Sequence, residues 1–224
     1  MSQPYTRRRR RRRSALHASA VQLLLGAALL CLTAAVLWTL AGRREPKDVP
    51  VPDYVEADYL TVNPYSRPGE ALERVNAVVI HYVGNPGTTA CANRNYFESL
   101  SSGAEGTYAS SHFIVGLEGE VIQCVPLTEV AYASNDRNGD TVSIEVCHPD
   151  ETGEFLPVTY DRAVELTAWL CQTYHLNPAE DVIRHYDVTG KVCPKYYVEN
   201  PEAWDAFRAD VAAAMEEGRE TRGE

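Results

Sequence analysis

The chain has 224 residues and a formal net charge of −10 at pH 7, from 31 Asp and Glu against 21 Lys and Arg. All the acidic residues follow residue 44, together with only 12 of the Lys and Arg, so that part carries a net charge of −19. This balance argues against a nucleic-acid-binding protein, and the length suits one domain with a full hydrophobic core.

The first 44 residues differ from the rest of the chain. Seven consecutive arginines, Arg7–Arg13, precede Ala18–Ala41, a stretch without a charged side chain, and two more arginines follow it. A helix of that length, at roughly 1.5 Å per residue, can cross a hydrocarbon core of about 30 Å. Because the more positive flank stays in the cytoplasm, we expect a single-pass signal anchor that places the rest of the chain outside the cell membrane.

Three other interpretations of this N-terminal segment remain open. A cleaved signal peptide has an apolar region of about 7–15 residues, which is shorter than this one. The pair Leu30-Cys31 suggests a lipoprotein site, but Leu29 and Leu30 are bulky where small residues are expected. Arg12-Arg13-Ser14 suggests a twin-arginine signal, which is a weak indication inside a run of arginines.

The predicted domain organisation follows from these changes in composition. We expect a basic cytoplasmic tail over residues 1–17, a transmembrane anchor over 18–41, a linker over 42–70, a folded domain over 71–216 and a disordered tail over 217–224. The sequence contains no internal repeat. It also shows no coiled-coil pattern, so a monomer is expected.

Short apolar runs alternate with helical patterns through the folded domain. Ala77–His81 and Thr141–Cys147 are typical of buried strands. Between them, Asn93–Leu100 can form a helix. His112–Val115 and Glu120–Val125 flank a Leu-Glu-Gly turn and predict a hairpin.

The second half of the domain is mainly helical. A helix is predicted from Thr159, a short strand over Asp181–Arg184, and a closing helix after the cap Asn200-Pro201. Strands that alternate with helices, together with one hairpin, predict an α/β fold with a central mixed sheet flanked by helices.

Three segments carry side chains that can bind a metal or move a proton. His81 ends the first apolar strand, and Glu145 lies in a second one, where a carboxylate without a partner is unusual. The third segment begins at His185 and places Lys191 and Cys193 in one short loop. Taken singly, each histidine or cysteine is explained by ordinary packing. Because active sites of α/β folds gather at strand ends, we expect the three segments to meet.

Four motifs carry a resemblance to a known family: Ile-His-Tyr, Ala-Ser-Ser-His-Phe-Ile-Val, Ser-Ile-Glu and Arg-His-Tyr-Asp-Val-Thr-Gly-Lys-Val-Cys-Pro-Lys. They resemble the zinc-dependent N-acetylmuramoyl-L-alanine amidases of type 2, the family that includes amidase-type phage lysozymes and the peptidoglycan recognition proteins. The resemblance covers about residues 75–212. It implies the fold of that family and hydrolysis of the amide between N-acetylmuramic acid and L-alanine in peptidoglycan.

The resemblance also implies the roles of five residues. Zn²⁺ would be bound by His81, His185 and Cys193, with a fourth position open to water, as in catalytic zinc sites. Zinc lowers the pKa of bound water from about 15.7 toward roughly 7. Glu145 would accept the proton of that water and pass it to the departing amine, and Lys191 would stabilise the oxyanion of the tetrahedral intermediate.

One position departs from the family pattern. Some relatives carry a catalytic tyrosine immediately before the histidine of the Ser-His-Phe segment, where this chain has Ser111. Tyr108 lies three residues earlier and is interpreted as structural. His112 is left open between packing and contact with substrate. Asn85 and Thr189, in loops near the ligands, are candidates for binding the stem peptide.

Three alternatives fit parts of the pattern. Some members of this fold bind peptidoglycan without cutting it, but they typically lack the cysteine ligand, which is present here as Cys193. A zinc endopeptidase would apply the same chemistry within the stem peptide, and a phage-type lysin would perform the same reaction in another setting. The expected partners are peptidoglycan and, through the N-terminal helix, the membrane; nucleic acid is not expected.

Overall fold

A six-stranded sheet organises residues 45–222, the part of the chain that the structure, a computed structural model, describes. The strands are β1 (Val55–Ala57), β2 (Ala77–Tyr82), β3 (Phe113–Val115), β4 (Val121–Gln123), β5 (Thr141–Val146) and β6 (Val182–Arg184). They lie in the order β1-β4-β3-β5-β2-β6. Strands β3 and β4 are antiparallel and the other neighbours are parallel, so the predicted mixed sheet and its hairpin are confirmed.

Strands β2 and β5 lie side by side in the interior of the sheet. Their pairing runs from Ala77 opposite Thr141 to Tyr82 opposite Val146. Both strands are rich in β-branched residues and are almost entirely buried, as expected of parallel strands covered on both faces. The side chains near their carboxyl ends are therefore fixed relative to each other.

Helices cover both faces of the sheet. They are α1 (Ala90–Ser99), α2 (Pro157–Tyr174), α3 (Pro178–Asp181), α4 (His185–Thr189), α5 (Lys195–Glu199) and α6 (Pro201–Arg222). Alternation along β3 separates two cores: Phe113 and Val115 pack with α2 and α6, while Ile114 packs with α1. The sheet is thus the middle layer of three.

The folded part of the chain extends beyond both predicted boundaries. Strand β1 lies within residues 42–70, the predicted linker, and pairs with β4 from Val55 opposite Val121. With one buried residue in three, β1 has no periodicity that could have revealed it. Helix α6 continues to Arg222, through most of the tail predicted to be disordered. Glu and Arg favour helix, which accounts for this extension.

The segment that leads into β1 packs against α2. The Lys47 ammonium donates to the Thr173 carbonyl at 3.2 Å, and Val49 and Val51 pack against the main core. The predicted basic tail, 1–17, and anchor, 18–41, lie outside the described residues. Within residues 45–222, no helix combines the length and apolar character needed to cross a membrane.

Candidate metal centre

The register of β2 and β5 places the first two candidate residues. His81 is the register partner of Glu145, and the two side chains emerge on the same face of the sheet. His81 Nδ1 lies 4.0 Å from Glu145 Oε1. The imidazole is buried, and the side chain of Glu145 keeps 16% of its surface exposed. A potential ligand and a potential base thus stand side by side at the end of the central strands.

The third segment is closed on itself by hydrogen bonds. His185 begins helix α4, and Asp187 accepts from the backbone N–H of Arg184 at 2.8 Å and pairs with its guanidinium at 2.7 Å. The backbone N–H of Tyr186, in the first turn of this helix, donates to the carbonyl of Cys193 in the loop beyond it at 2.9 Å. The chain therefore turns back and brings Cys193 beside His185.

These elements bring three possible ligands together. The ligand atoms of His81, His185 and Cys193 all lie within 4.8 Å of one another, and all three residues are buried. Cys193 Sγ lies 3.9 Å from His81 Nδ1, and the centroids of the two imidazole rings are 4.6 Å apart. Two imidazoles and one thiol at this spacing form a potential three-ligand metal site.

The loop between β4 and β5 supplies partners for both histidines. His185 Nε2 lies 3.0 Å from Asn135 Oδ1, so the N–H donates there and the lone pair stays at Nδ1. Ser134 Oγ lies 3.5 Å from His81 Nε2. Asn138 Oδ1 holds the loop by accepting from the backbone N–H of Ser134 at 2.6 Å. Sequence reasoning missed Ser134 and Asn135; such partners fix the tautomer and orientation of a ligand histidine.

Burial sets the protonation of the three candidate ligands. Desolvation, followed by the charges of His185 and Lys191, lowers the pKa of His81 well below its ordinary value. Burial and Lys191 also lower the pKa of His185. Burial raises the pKa of the Cys193 thiol to about 12. The imidazoles are therefore in the neutral form that binds metals, and a bound cation would displace the thiol proton.

Glu145 has the environment of a group that exchanges protons. Burial raises the pKa of Glu145 to about 8, against the opposing charge of Lys191. Its Oε2 is buried and has no hydrogen-bond partner. Burying a carboxylate oxygen without a hydrogen-bond partner costs free energy, unless a ligand or reactant binds to that oxygen. This orphan atom, next to two neutral imidazoles and a thiol, fits a site that receives a metal ion and substrate.

An open cleft of about 610 Å³ gives access to the centre. The three candidate ligands and Glu145 line it, together with Lys191, which shares the loop of Cys193. The structure thus brings all five residues that the sequence singled out for catalysis into one cleft. Two residues that were not assigned to the site, Tyr108 and Tyr132, line it as well.

The three predicted substrate contacts do not line the cleft. His112 is buried: its Nδ1 accepts from the N–H of Ser143 at 3.1 Å, and its Nε2 approaches the Glu129 carbonyl at 3.0 Å. The Thr189 hydroxyl donates to the backbone carbonyl of His185, in the same helix, at 3.2 Å. Asn85 is exposed in the turn after β2. Closeness to a ligand along the chain did not bring these side chains to the cleft.

Comparison with known proteins identifies relatives of this chain. The family model described as N-acetylmuramoyl-L-alanine amidase matches residues 71–196, more than half of the chain. The N-acetylmuramoyl-L-alanine amidase BlyA of Bacillus subtilis (strain 168) is 34% identical over 177 residues, which cover 70% of this chain and 46% of BlyA. A probable N-acetylmuramoyl-L-alanine amidase of Bacillus licheniformis is 36% identical over 176 residues, 73% of this chain and 48% of that protein. The chain spans about half the length of these relatives.

Solved structures share the fold. The catalytic domain of XlyA superposes with a TM-score of 0.59 at 25% identity, covering 70% of this chain and 98% of that domain. PlyL superposes with a TM-score of 0.59 at 22% identity, covering 70% of this chain and 96% of PlyL. At that identity, the likeness to PlyL concerns the fold alone.

Proposed function

This chain belongs to the N-acetylmuramoyl-L-alanine amidase family, and from that membership we propose that it hydrolyses the amide between the lactyl group of N-acetylmuramic acid and L-alanine in peptidoglycan. The observation that carries the proposal is the cluster of His81, His185 and Cys193 beside Glu145 in an open cleft. Three potential ligands and one carboxylate are the groups that metal-assisted amide hydrolysis requires.

Zinc is the metal that we propose for this centre, held by His81, His185 and Cys193. Two nitrogen donors and one sulfur donor suit zinc, and three protein ligands leave one coordination position open. When bound, zinc supplies Lewis acidity and lowers the pKa of its water toward about 7. Ser134 and Asn135 would orient the two imidazoles, because each lies within hydrogen-bond distance of an Nε2 atom and leaves the Nδ1 atom of that ring for the metal.

Glu145 carries the proton in this proposal. Its carboxylate accepts the proton of the attacking water and then delivers it to the amine of L-alanine as the amide bond breaks. Burial disfavours the charged carboxylate and raises its pKa, which helps the same group to take up the proton and hold it until the amine leaves. The partnerless Oε2 is the atom that would hold the proton.

Lys191 supplies positive charge to the same cleft. Its ammonium is close enough to lower the pKa of both candidate histidine ligands and to oppose the rise at Glu145. A cation in that position stabilises the negative charge that develops on the carbonyl oxygen. Ser111, at the position where some relatives have a tyrosine, is buried and donates to the Ser143 carbonyl at 3.0 Å. Proton transfer therefore falls to Glu145.

Two rival functions use the same cleft. A module that binds peptidoglycan without cutting it has no need for Cys193 or for an unpartnered carboxylate, and both are present here. A zinc endopeptidase would use the same residues on a bond within the stem peptide. The two hydrolases differ in the mass of the peptide that they release.

We also propose that the enzyme works at the outer side of the cell membrane. Support comes from the sequence, in which seven arginines precede the uncharged stretch Ala18–Ala41. A protein anchored in this way would act as a monomer on peptidoglycan within reach of the membrane. Cell fractionation tests the location: a full chain that remains soluble after lysis contradicts it.

Mass spectrometry of digested peptidoglycan tests the reaction. The full chain, supplied with zinc, is incubated with purified sacculi beside the variants Glu145→Ala and Cys193→Ser. We expect wild-type protein to release intact stem peptides that begin at L-alanine, and both variants to release none. Shorter peptides would assign the protein as an endopeptidase. Wild-type protein that sediments with sacculi and releases nothing would assign it as a binding module.

A further inference from the structure

Three tyrosines form a continuous aromatic surface that runs out from the cleft. Tyr108 and Tyr132 line the cleft, and their ring centroids are 5.8 Å apart in an edge-on arrangement. Tyr65 lies behind Tyr108, with a centroid separation of 5.2 Å. We call these three residues the tyrosine shelf. The roles assigned above to ligands, base and oxyanion group leave the shelf without a function.

Backbone hydrogen bonds fix the shelf in place. The N–H of Ala109 donates to the Tyr65 carbonyl at 3.1 Å, and the N–H of Ser110 donates to the Tyr132 carbonyl at 2.9 Å. The Tyr132 N–H in turn donates to Ser110 Oγ at 2.9 Å, and Ser110 is buried. The two residues after Tyr108 thus connect the chain segments of the other two tyrosines. These hydrogen bonds involve the backbone of the three tyrosine segments and not the rings, so they remain when a ring is truncated.

The loop before Tyr108 is shaped around the same surface. Gly103 has a φ of +68°, a conformation that favours glycine. A Cβ at this position would lie 2.7 Å from ring atoms of Tyr65, so the backbone approaches the ring as closely as a glycine allows. Gly106, with a φ of +61°, turns the chain again before Tyr108. The two glycines therefore allow the backbone to pass close to the Tyr65 ring and to turn before Tyr108.

Tyr108 is exposed within the cleft and is therefore accessible to a ligand. The residue is 59% exposed although its ring contacts two other rings and lines the cleft. A rigid, exposed aromatic face loses little conformational freedom on binding, and a phenol offers both an apolar face and a hydroxyl group. A pyranose ring matches this combination, because its axial C–H groups form an apolar face and its hydroxyls lie around the rim.

The two parts of the proposed substrate, the sugar strand and the stem peptide, differ in charge. The sugar strand is uncharged at the reacting unit, because the lactyl carboxyl is tied up in the amide, whereas the stem peptide carries free carboxylates. Within the part of the chain that the structure describes, Lys191 is the one Lys or Arg that lines the cleft, and it belongs to the loop of Cys193. Near the shelf, burial and then the carboxylate of Glu70 raise the pKa of Tyr132. An acidic neighbour disfavours the anionic peptide there and leaves the uncharged sugar unaffected.

The shelf also lies close in sequence to a residue that contacts a candidate metal ligand. Tyr132 stands two residues before Ser134, whose hydroxyl is 3.5 Å from His81 Nε2. A sugar stacked on the shelf would present its lactyl amide toward the metal ligands. Resting on the hydrolysis proposed above, we propose that Tyr108 and Tyr132, backed by Tyr65, form the subsite that binds the N-acetylated sugar strand of the substrate.

A binding experiment tests the shelf without relying on catalysis. The full chain is titrated with a tetrasaccharide of N-acetylglucosamine and followed by ligand-observed NMR. We expect wild-type protein to bind it, Tyr108→Ala to bind roughly five- to tenfold more weakly, and Tyr108→Phe to stay close to wild type. The matched control is Tyr96→Ala, which removes a tyrosine that is 44% exposed and does not line the cleft. No binding by wild-type protein, or equal binding by Tyr108→Ala, would overturn the proposal.

Hydrolysis kinetics separate the shelf from the reaction itself. One substrate is a disaccharide-peptide, and the other is a lactoyl-peptide that lacks the sugar. We expect Tyr108→Ala to raise KM for the first by roughly five- to tenfold with kcat unchanged, and to leave the second unaffected. Equal loss on both substrates would make the shelf a peptide site and overturn the proposal. A full chain that binds the tetrasaccharide but cleaves neither substrate would refute the hydrolysis and leave the shelf standing.

Discussion

His81 and Glu145 are register partners on adjacent parallel strands, and their side chains approach to 4.0 Å. The distance between a candidate ligand and the candidate base is thus determined by strand pairing in the core. A slip of one residue between β2 and β5 would turn one of the two side chains to the opposite face of the sheet. The geometry of the site is therefore as rigid as the pairing of these two strands.

Loss of the sulfur ligand should weaken zinc binding strongly while the fold survives. Cys193→Ser replaces a buried thiol by a hydroxyl, which stays protonated and is a poor zinc ligand. We expect zinc affinity to fall by roughly 100-fold or more, measured by competition with a chromophoric chelator. Cys91 is exposed and lies outside the ligand cluster, so Cys91→Ser is the matched control and should keep wild-type affinity. Equal affinity in both variants would remove Cys193 from the metal site.

The partner of His185 should matter for metal binding although it is not a ligand. Asn135 has a φ of +50°, which glycine adopts without strain, so Asn135→Gly removes the amide without disturbing the backbone. We expect zinc affinity to fall by roughly 10–100-fold, the usual effect of losing such a partner. Asp136→Gly, at an exposed position in the same turn, controls for added flexibility and should bind zinc as wild type does. Similar losses in both variants would show that loop rigidity, rather than the amide, is responsible.

Glu145→Gln should separate catalysis from metal binding. The amide has the shape of the carboxyl group but cannot accept the proton of water, so we expect kcat to fall by roughly 10²–10⁴-fold. Zinc affinity should change little, because the carboxylate is outside the ligand set. Glu118→Gln, on the exposed turn of the hairpin, is the matched control for lost negative charge. A variant that keeps its kcat would exclude Glu145 as the proton carrier.

His112 should make the fold sensitive to acid. Burial lowers the pKa of His112 to about 4, against about 6.5 in an unfolded chain, so the unfolded chain binds more protons between these values. Stability should therefore fall as the pH falls through this window, by roughly 3 kcal/mol in total from this residue. Protonation at Nδ1 would also break the hydrogen bond that the backbone N–H of Ser143 donates to this atom at 3.1 Å.

Chemical denaturation of the protein in the presence of a chelator measures this effect. We expect His112→Gln to show a shallower pH dependence of the unfolding free energy near pH 5, by roughly 1.4 kcal/mol per pH unit. Above pH 7 the histidine is neutral in both states, so the two proteins should show parallel curves there. Parallel curves across the whole range would rule out His112 as the source.

Sequence patterns predict the parts of the site that depend on buried strands. The apolar runs that deliver His81 and Glu145 are recognisable because strands covered on both faces need continuous hydrophobic residues. The partners Ser134 and Asn135 were missed because their loop has no such pattern and reaches His81 and His185 across 53 and 50 positions of the chain.

Other differences between prediction and structure have equally local causes. Strand β1 is three residues long and only Val55 in it is buried, so it resembles a linker. Tyr108, which was interpreted as structural, lines the cleft, and its loop contains two glycines with positive φ, Gly103 and Gly106. Thr189 was predicted to contact substrate, but its hydroxyl donates to the backbone of its own helix.

The sequence distance between two of the candidate ligands has a mechanical consequence. His81 and Cys193 are 112 positions apart, half the length of the chain. A metal ion coordinated by both residues would cross-link the C-terminal part of the domain to a central strand. Cross-links across long loops restrict the unfolded chain the most, since the entropy of loop closure grows with loop length. Stripping the ion should therefore weaken the whole domain as well as stop the reaction.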